Sequence, residues 1–379
     1  MSISRVREQM VKDGIDAVIA TSYENIAYLS RVIIMTQRII PDRIAAVIVT
    51  LDNDPIIVVC SIEKEFAKRY SSIKDIRCYV EFTDSPIDII SGILYDSKMK
   101  KSRTGIEMRA LSAHYYQELI KKLPQVSFVP VDELLESVRV IKSKGEIDLM
   151  QKAALATDRS IRRAFESVSS GDTDKTIANN IINALYAEGA DSVAFLALGA
   201  GPNANLAHPF PINRSLQEGD IVRCDVGGIF SGYFSDIART AIVGYASREI
   251  ETLYKKLFEI QEYVIESAHS GRQAKELYFD CKRAFGKRGM ELELPHIGHS
   301  LGLCLHENPL INAVNQTYFE ENMVLAIEPI YIYNGFFLHT EDLVLVTPKG
   351  GKVLSRSTEW SDLFIINKRL RNRSSVINS

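Results

Sequence analysis

Apolar and polar positions along the first 130 residues follow two rhythms, one helical and one extended. Residues 4–13 place apolar side chains at helical spacing, and IDAVIAT (15–21) is an apolar run that predicts a buried strand. IAAVIVT (44–50) and PIIVVCS (55–61) are two more such runs, separated by the turn sequence LDNDP. Helical patterns over 62–70, 85–96 and 111–123 are interleaved with extended segments at 76–82 and 104–109. This alternation predicts a mixed α/β domain over 1–130, with helices packed on a sheet.

The rhythm changes from about residue 141. KSKGEIDLMQKAALATDRSIRRAFESV carries Ile147, Met150, Ala154 and Ile161 at helical spacing, which predicts one long amphipathic helix. A second helix, 174–189, starts after Gly171-Asp172 and stops at Gly189. Strands follow at 192–199, 219–230 and 232–244, then a helix pair over 248–288 and a strand-rich end over 322–354. The order predicts an α+β domain over 140–379, its long helices covering an antiparallel sheet.

Length and composition fit that division. A chain of 379 residues suggests two domains, and 46% hydrophobic with 25% charged residues is the balance of a globular protein with a large core. A formal net charge of -3 gives no overall pull toward nucleic acid or an anionic membrane. Only NKRLRNR (367–373) is locally basic, and it reads as a solvated end. No apolar run approaches the ~20 residues of a membrane span. The opening MSISRVREQMVKDG reads as an amphipathic helix rather than a signal peptide. Five scattered cysteines (60, 78, 224, 281, 304) form no C-x-x-C pair, so free thiols in a reducing cytoplasm are expected.

The candidate chemistry collects in the second domain. Five of the seven histidines fall in NANLAHPFP (203–211), HIGHSLGLCLHENP (296–309) and HTEDLVLVT (339–347). Acids stand in CDVGGIFSGYFSDIART (224–240) and AIEPI (326–330). Asp225, Asp236, Glu328 and Glu341 each lie in an apolar or glycine-rich surround, where an unpaired charge is costly. Together with His299 they make sense if a cation neutralises them. Carboxylates with one imidazole suit Mn²⁺ or Fe²⁺, with Co²⁺ or Zn²⁺ at the borderline, and not a thiolate site. Four acids exceed what one ion needs, so two ions are the natural count. Competing motifs fail: HENPL lacks the second histidine of H-E-x-x-H, and prolines 202, 209 and 211 prevent the helix that a phosphate loop at GAGPNA (199–204) would open.

These motifs resemble the pita-bread metallopeptidases of the creatinase, prolidase and aminopeptidase P type over nearly the whole chain. GIDAVIATSYENIAYLS (14–30) is similar to the opening strand and helix of their N-terminal domain, and KSKGEIDLMQKAA (142–154) to their interdomain helix. The resemblance implies a creatinase-like α/β domain before a pita-bread catalytic domain, a two-metal hydrolase and a homodimer. Charge and cysteine usage add the expectation of a cytoplasmic protein that binds no nucleic acid or membrane. The resemblance also implies that Asp225 binds one ion, His299 and Glu328 the other, and that Asp236 and Glu341 bridge them. The ions would be Mn, Co, Zn or Fe. His208 and His306 would line the substrate site, and Glu328 would be the general base toward a metal-bridging hydroxide. His339 is expected to support a ligand carboxylate, and Arg239 to pair with a nearby acid.

The same likeness implies Xaa-Pro bond cleavage in short peptides, by an aminopeptidase or a dipeptidase. Hydrolysis of a non-peptide amide or amidine, of the creatine or ectoine kind, is the second reading, and a non-catalytic binding module the third. Prolidases usually carry arginine after H-E-x-P and again two residues before the final glutamate. Here those positions are Leu310 and His339, while Ala238 and Ile330 replace the usual threonine of D-I-T-R-T and glycine of E-P-G. None of these four positions is an expected metal ligand.

Overall fold

The computed structural model describes residues 2–40 and 42–367, so the basic segment 367–373 lies, past Asn367, outside the described residues. The chain divides into two compact units, Met1–Arg139 and Val140–Ser379.

The first unit is built on a six-stranded sheet in the order Asp75–Tyr79, Ile56–Cys60, Ala46–Thr50, Ala17–Ala20, Arg103–Ile106, Ser127–Pro130. Ala46–Thr50 runs antiparallel to both its neighbours, and the outer pairings are parallel. The apolar runs are unbroken because the central strands are covered on both faces. Val18, Val47 and Ile57 pack with Val6, Met10 and Leu135 on one side. Their sequence neighbours Ile19, Ile48 and Val58 pack with Ile90, Leu94 and Leu119 on the other, as a period of two requires. Residues 131–139, left outside both domains by the sequence reading, belong here. The helix Asp132–Val140 buries Leu134, Leu135 and Val138 in the first of these clusters.

The second unit starts with the capping box of Ser143 and Glu146, which sets the helix Lys144–Glu166. One sheet runs Phe364–Ile366, Ile237–Val243, Ile221–Phe230, Ser192–Ala200, with Tyr233–Phe234 paired onto Ile221–Phe230. The other runs Glu307–Asn312, His296–Ser300, Val324–Ile327, Asp342–Thr347, Gly350–Val353. Lys144–Glu166 and Asp174–Ala187 bury Met150, Ile161, Phe165 and Ile177 against Val222, Val226 and Ile237. Arg248–Ser267 and Ala274–Lys287 bury Tyr254, Leu257 and Phe285 against Ile297, Leu325 and Val344. The strands His296–Ser300 and Glu307–Asn312 are absent from the sequence reading, because their histidines, glycine and proline leave no apolar alternation to detect. Cross-strand pairing makes them strands instead.

The predicted strand 232–244 is interrupted, and the interruption carries Asp236. Tyr233–Phe234 and Ile237–Val243 are separate strands on either side of it. Beyond this break Ile237–Val243 reaches the end of the hairpin formed by Ile330–Tyr333 and Phe336–His339. The amide of Glu341 donates to the Ala238 carbonyl at 3.1 Å. Thr240 Oγ1 donates to the His339 carbonyl at 2.9 Å and accepts from the His339 amide at 3.0 Å.

Gly298 sits where His296–Ser300 crosses Val324–Ile327, with a φ of 151°, and a Cβ there would stand 2.1 Å from the carbonyl oxygen of Ala326. That atom is backbone and cannot swing aside. Gly298→Ala is expected to cost on the order of 1–3 kcal/mol, read as a lower chemical-denaturation midpoint, and to push the adjacent His299 out of register.

Candidate metal centre

Asp225, His299 and Glu328 are placed by backbone pairings rather than by their own side chains. Asp225 lies in Ile221–Phe230, opposite Ala197 on one flank and Ala238 on the other. Small partners leave room above the strand for a carboxylate. Gly227 follows two residues later, and a Cβ there would strike the Phe195 ring and the Ser235 carbonyl. The glycine thus lets the chain turn that delivers Asp236 approach closely. His299 faces Ala326 and Leu310 in the second sheet. Glu328 follows Val324–Ile327 directly, its amide donating to the Ile297 carbonyl at 2.9 Å.

Five residues expected at the site come together with His339. Ligand atoms of Asp236, His299 and Glu341 all lie within 4.8 Å of one another, and so do those of Glu328, His339 and Glu341. His299 Nε2 is 3.5 Å from Asp236 Oδ2 and 3.7 Å from Glu328 Oε1. His339 Nε2 is 3.5 Å from Glu328 Oε2. Asp225 joins the same charge cluster, hydrogen-bonded to Asp236.

Burial raises the pKa of all four carboxyls. For Asp236 and Glu341 the rise is large, because neighbouring carboxylates add to the desolvation. Burial also pushes His299 and His339 down to about 3, so both imidazoles are neutral at pH 7. The Nδ1 of His299 lies 3.0 Å from the Ser300 carbonyl, which fixes its proton there and aims Nε2 at the acids.

Arg239 behaves as the sequence reading expects and does more. It is 1% exposed, donates to Asp158 through Nε and Nη2, and reaches Asp342 Oδ1 at 2.9 Å. Its Nη1 donates to the carbonyls of Glu341 (2.6 Å) and Ala238 (3.0 Å). Despite burial, Asp342 and Asp158 hold its pKa up. Asp158 also accepts from Trp360 Nε1 at 2.8 Å and from the amide of Ser357 at 2.9 Å.

His208 and His306 stand at the rim, exposed. The His306 ring stacks on His299 with centroids 3.8 Å apart, and partial desolvation lowers its pKa. Its loop is held from behind by a buried ion pair, Lys142 Nζ to Glu307 Oε2 at 3.0 Å, while Glu307 Oε1 accepts from the Cys304 amide. The loop before His208 is held by Arg223, whose Nη2 donates to the carbonyls of Leu206 and Ala207.

The sequence reading misses Arg223, Asp158 and the Lys142–Glu307 pair. For Arg223 a signal exists: a cation inside the apolar run IVRCDV, two residues before Asp225. His296, half-exposed, places Nδ1 3.6 Å from Glu328 Oε1. Tyr233 takes a structural part, donating to Glu146 Oε1 at 2.8 Å. The sequence reading also overlooks a G-x-S-x-G spelling at 298–302. Ser300 is fully buried within a strand and donates to the Val324 carbonyl at 3.0 Å, so it is no exposed nucleophile.

Residues 148–348 match Metallopeptidase family M24. The chain belongs to metallopeptidase family M24. Residues 3–141 match the Creatinase/Prolidase N-terminal domain, so this M24 chain carries both halves of the expected architecture. It is 28% identical to the Xaa-Pro dipeptidase of Pyrococcus horikoshii across 94% of its own length and 97% of that protein's. It is 32% identical to the probable dipeptidase PepE of Mycobacterium tuberculosis, over 70% and 71% of the two chains. The crystal structure of the prolidase from Pyrococcus horikoshii OT3 superposes with a TM-score of 0.83 at 28% identity, covering 95% of this chain and 99% of that one.

A metallopeptidase family implies divalent ions, and the donor set fits them. Asp225 Oδ1, Glu341 Oε2 and both ring nitrogens of His339 are buried without a hydrogen-bond partner. Carboxylates with raised pKa values and neutral imidazoles are groups that a cation would satisfy at once. The sign of the pH effect follows. Because the folded pKa values of Asp236 and Glu341 lie above the unfolded ones, metal-free protein loses stability as pH rises past the ordinary carboxylate range. Chelator-treated wild type is expected to lose melting temperature relative to Asp236→Asn as pH rises above the ordinary carboxylate range, a comparison in which the opposite contribution of the lowered histidines cancels. A gap between wild type and Asp236→Asn that does not change with pH would contradict the charge crowding. Arg239→Met, which strands Asp158 and Asp342 without their cation, is expected to cost about 3–5 kcal/mol in equilibrium denaturation.

Proposed function

We propose that this M24 chain cleaves the Xaa-Pro bond at the N-terminus of short peptides, using two divalent ions held by Asp225, Asp236, His299, Glu328 and Glu341. One observation carries the proposal: four carboxylates share a buried site with neutral imidazoles, and several of their polar atoms lack partners. The 28% identity to an Xaa-Pro dipeptidase across 94% of the chain supports the substrate class.

When bound, a divalent pair supplies Lewis acidity, lowering the pKa of a water and polarising a carbonyl oxygen. The chain's own residues do the remainder. Glu328, its carboxyl raised by burial and set between three histidines, accepts the proton of the attacking water and returns it to the leaving proline nitrogen. His306, neutral through its lowered pKa, donates to the oxygen on which charge develops. His208, also at the rim, orients the peptide. Arg223 and the Lys142–Glu307 pair keep those two histidines in place.

Leu310 bears on peptide length. It pairs with His299 across the strands and is 37% exposed. A leucine offers no charge to a substrate's free carboxylate, which supports Xaa-Pro-Xaa peptides over dipeptides. The thiol state of all five cysteines supports a cytoplasmic setting, and light scattering tests the homodimer that the family likeness implies.

The assay uses the purified chain with Mn²⁺ or Co²⁺, Xaa-Pro dipeptides and longer Xaa-Pro-Xaa peptides. Release of the N-terminal residue is expected from the longer peptides, with Asp236→Ala at least ~10³-fold slower. Faster turnover of dipeptides would reverse the length assignment. Two bound ions with no turnover of any proline peptide would sink the peptidase reading and favour a non-peptide amide.

A further inference from the structure

Outside the ligand set considered so far, His339 is a buried group beside the acid cluster that the proposed chemistry leaves without a use. It is 1% exposed, and its backbone is clamped to Thr240 on both sides of the peptide. Neither ring nitrogen has a hydrogen-bond partner. A neutral imidazole carries one donor nitrogen and one acceptor nitrogen. Acids beside the ring are Glu328 at 3.5 Å, Glu341 within the same 4.8 Å cluster, and Asp225.

Ionised carboxylates, the form in which they would hold a cation, can receive the donor's proton and offer nothing to the acceptor. The nearby cation Arg223 commits its Nη2 to the Leu206 and Ala207 carbonyls. Arg239 spends its donors on Asp158, Asp342 and two carbonyls. A buried nitrogen lone pair facing acids is a place for a metal ion.

The two ligand clusters share Glu341 and divide the imidazoles between them. Asp236, His299 and Glu341 form one, and Glu328, His339 and Glu341 the other. We propose that His339 is a sixth protein ligand, so that each of the two ions takes one imidazole and Glu341 serves both. Glu328 then sits on the ion of His339 rather than on that of His299, where the family likeness sets it. The proposal rests on the two-metal reading of the site. It changes the character of the centre, because an ion otherwise surrounded by oxygens alone gains a nitrogen donor and shifts toward the borderline metals Co²⁺ and Zn²⁺.

The test counts imidazoles on the wild-type protein loaded with zinc. Equilibrium dialysis gives the ions per chain, and X-ray absorption gives the imidazoles per zinc. Two zincs carrying on average one imidazole each are expected, with His339→Phe halving that average and weakening one of the two sites by at least ~10²-fold. His296→Phe, at the half-exposed neighbour, is expected to leave the count at one and serves if His339→Phe does not fold. Half an imidazole per zinc in the wild type, an unchanged count in folded His339→Phe, or a count halved by His296→Phe each overturn the assignment while the two-metal reading stands. Fewer than two zincs per wild-type chain overturns both.

Discussion

Mutual repulsion among Asp225, Asp236, Glu328 and Glu341 is the constraint around which the second unit is organised. Burial raises the pKa of all four carboxyls, and at Asp225, Asp236 and Glu341 neighbouring carboxylates raise it further. A chain free to relax would let them drift apart. It does not, because Asp225, Glu328 and Glu341 are fixed through backbone pairings that the side chains cannot loosen, and Asp236 lies between two paired strands. Asp225 is locked in a central strand, Glu341 is tied by its amide to Ala238, and Glu328 by its amide to Ile297. The repulsion is therefore retained in the fold, where a divalent cation can offset it. Binding energy and charge relief are the same event at such a site.

That retention needs an anchor, and Arg239 is the one. Its guanidinium neutralises Asp158 and Asp342, two further buried acids, and its Nη1 holds the carbonyls on both sides of the junction between Ile237–Val243 and the segment ending at Glu341. The flat fork of arginine suits this task, since it reaches several acceptors in one plane where lysine would present a single point charge. Adjacent acids are thereby sorted by chemistry. Asp342, paired to two arginines, keeps a lowered pKa, while Glu341 beside it faces the acid cluster and is raised. Local structure, not residue type, separates a structural carboxylate from one poised for a cation.

The acids were legible in the sequence because charge inside an apolar run is expensive enough to demand a reason. Asp225 in IVRCDVGGIF and Glu328 after VLAI announce themselves in that way. The alternating strands of the first unit and the long helices of the second were equally readable, since periodicity reports burial directly. What stayed hidden depends on register across strands. Glu341 was named as a ligand, but that Asp342 beside it turns away to Arg239 and Arg356 could not be read from the sequence. His296–Ser300 and Glu307–Asn312 escaped because pairing, and not their own residues, makes them extended. Asp158 lies on a helix far from the motifs, and nothing local marks it as the partner of Arg239.

The departures from the prolidase pattern take on a physical meaning at this point. Leu310 and His339 both stand where that pattern has a cation, yet their surroundings differ. Leu310 is exposed beside the His299 strand, so losing a charge there alters what the rim can hold and leaves the interior untouched. His339 is buried among acids, where a permanent guanidinium would supply a fixed positive charge and several donors. A neutral imidazole supplies one donor and one lone pair. The interior has thus exchanged built-in neutralisation for a vacancy in its charge balance, which makes the acid cluster more dependent on bound cations. A centre of this kind binds its ions for the stability of the fold as well as for its chemistry, since the same carboxylates serve both.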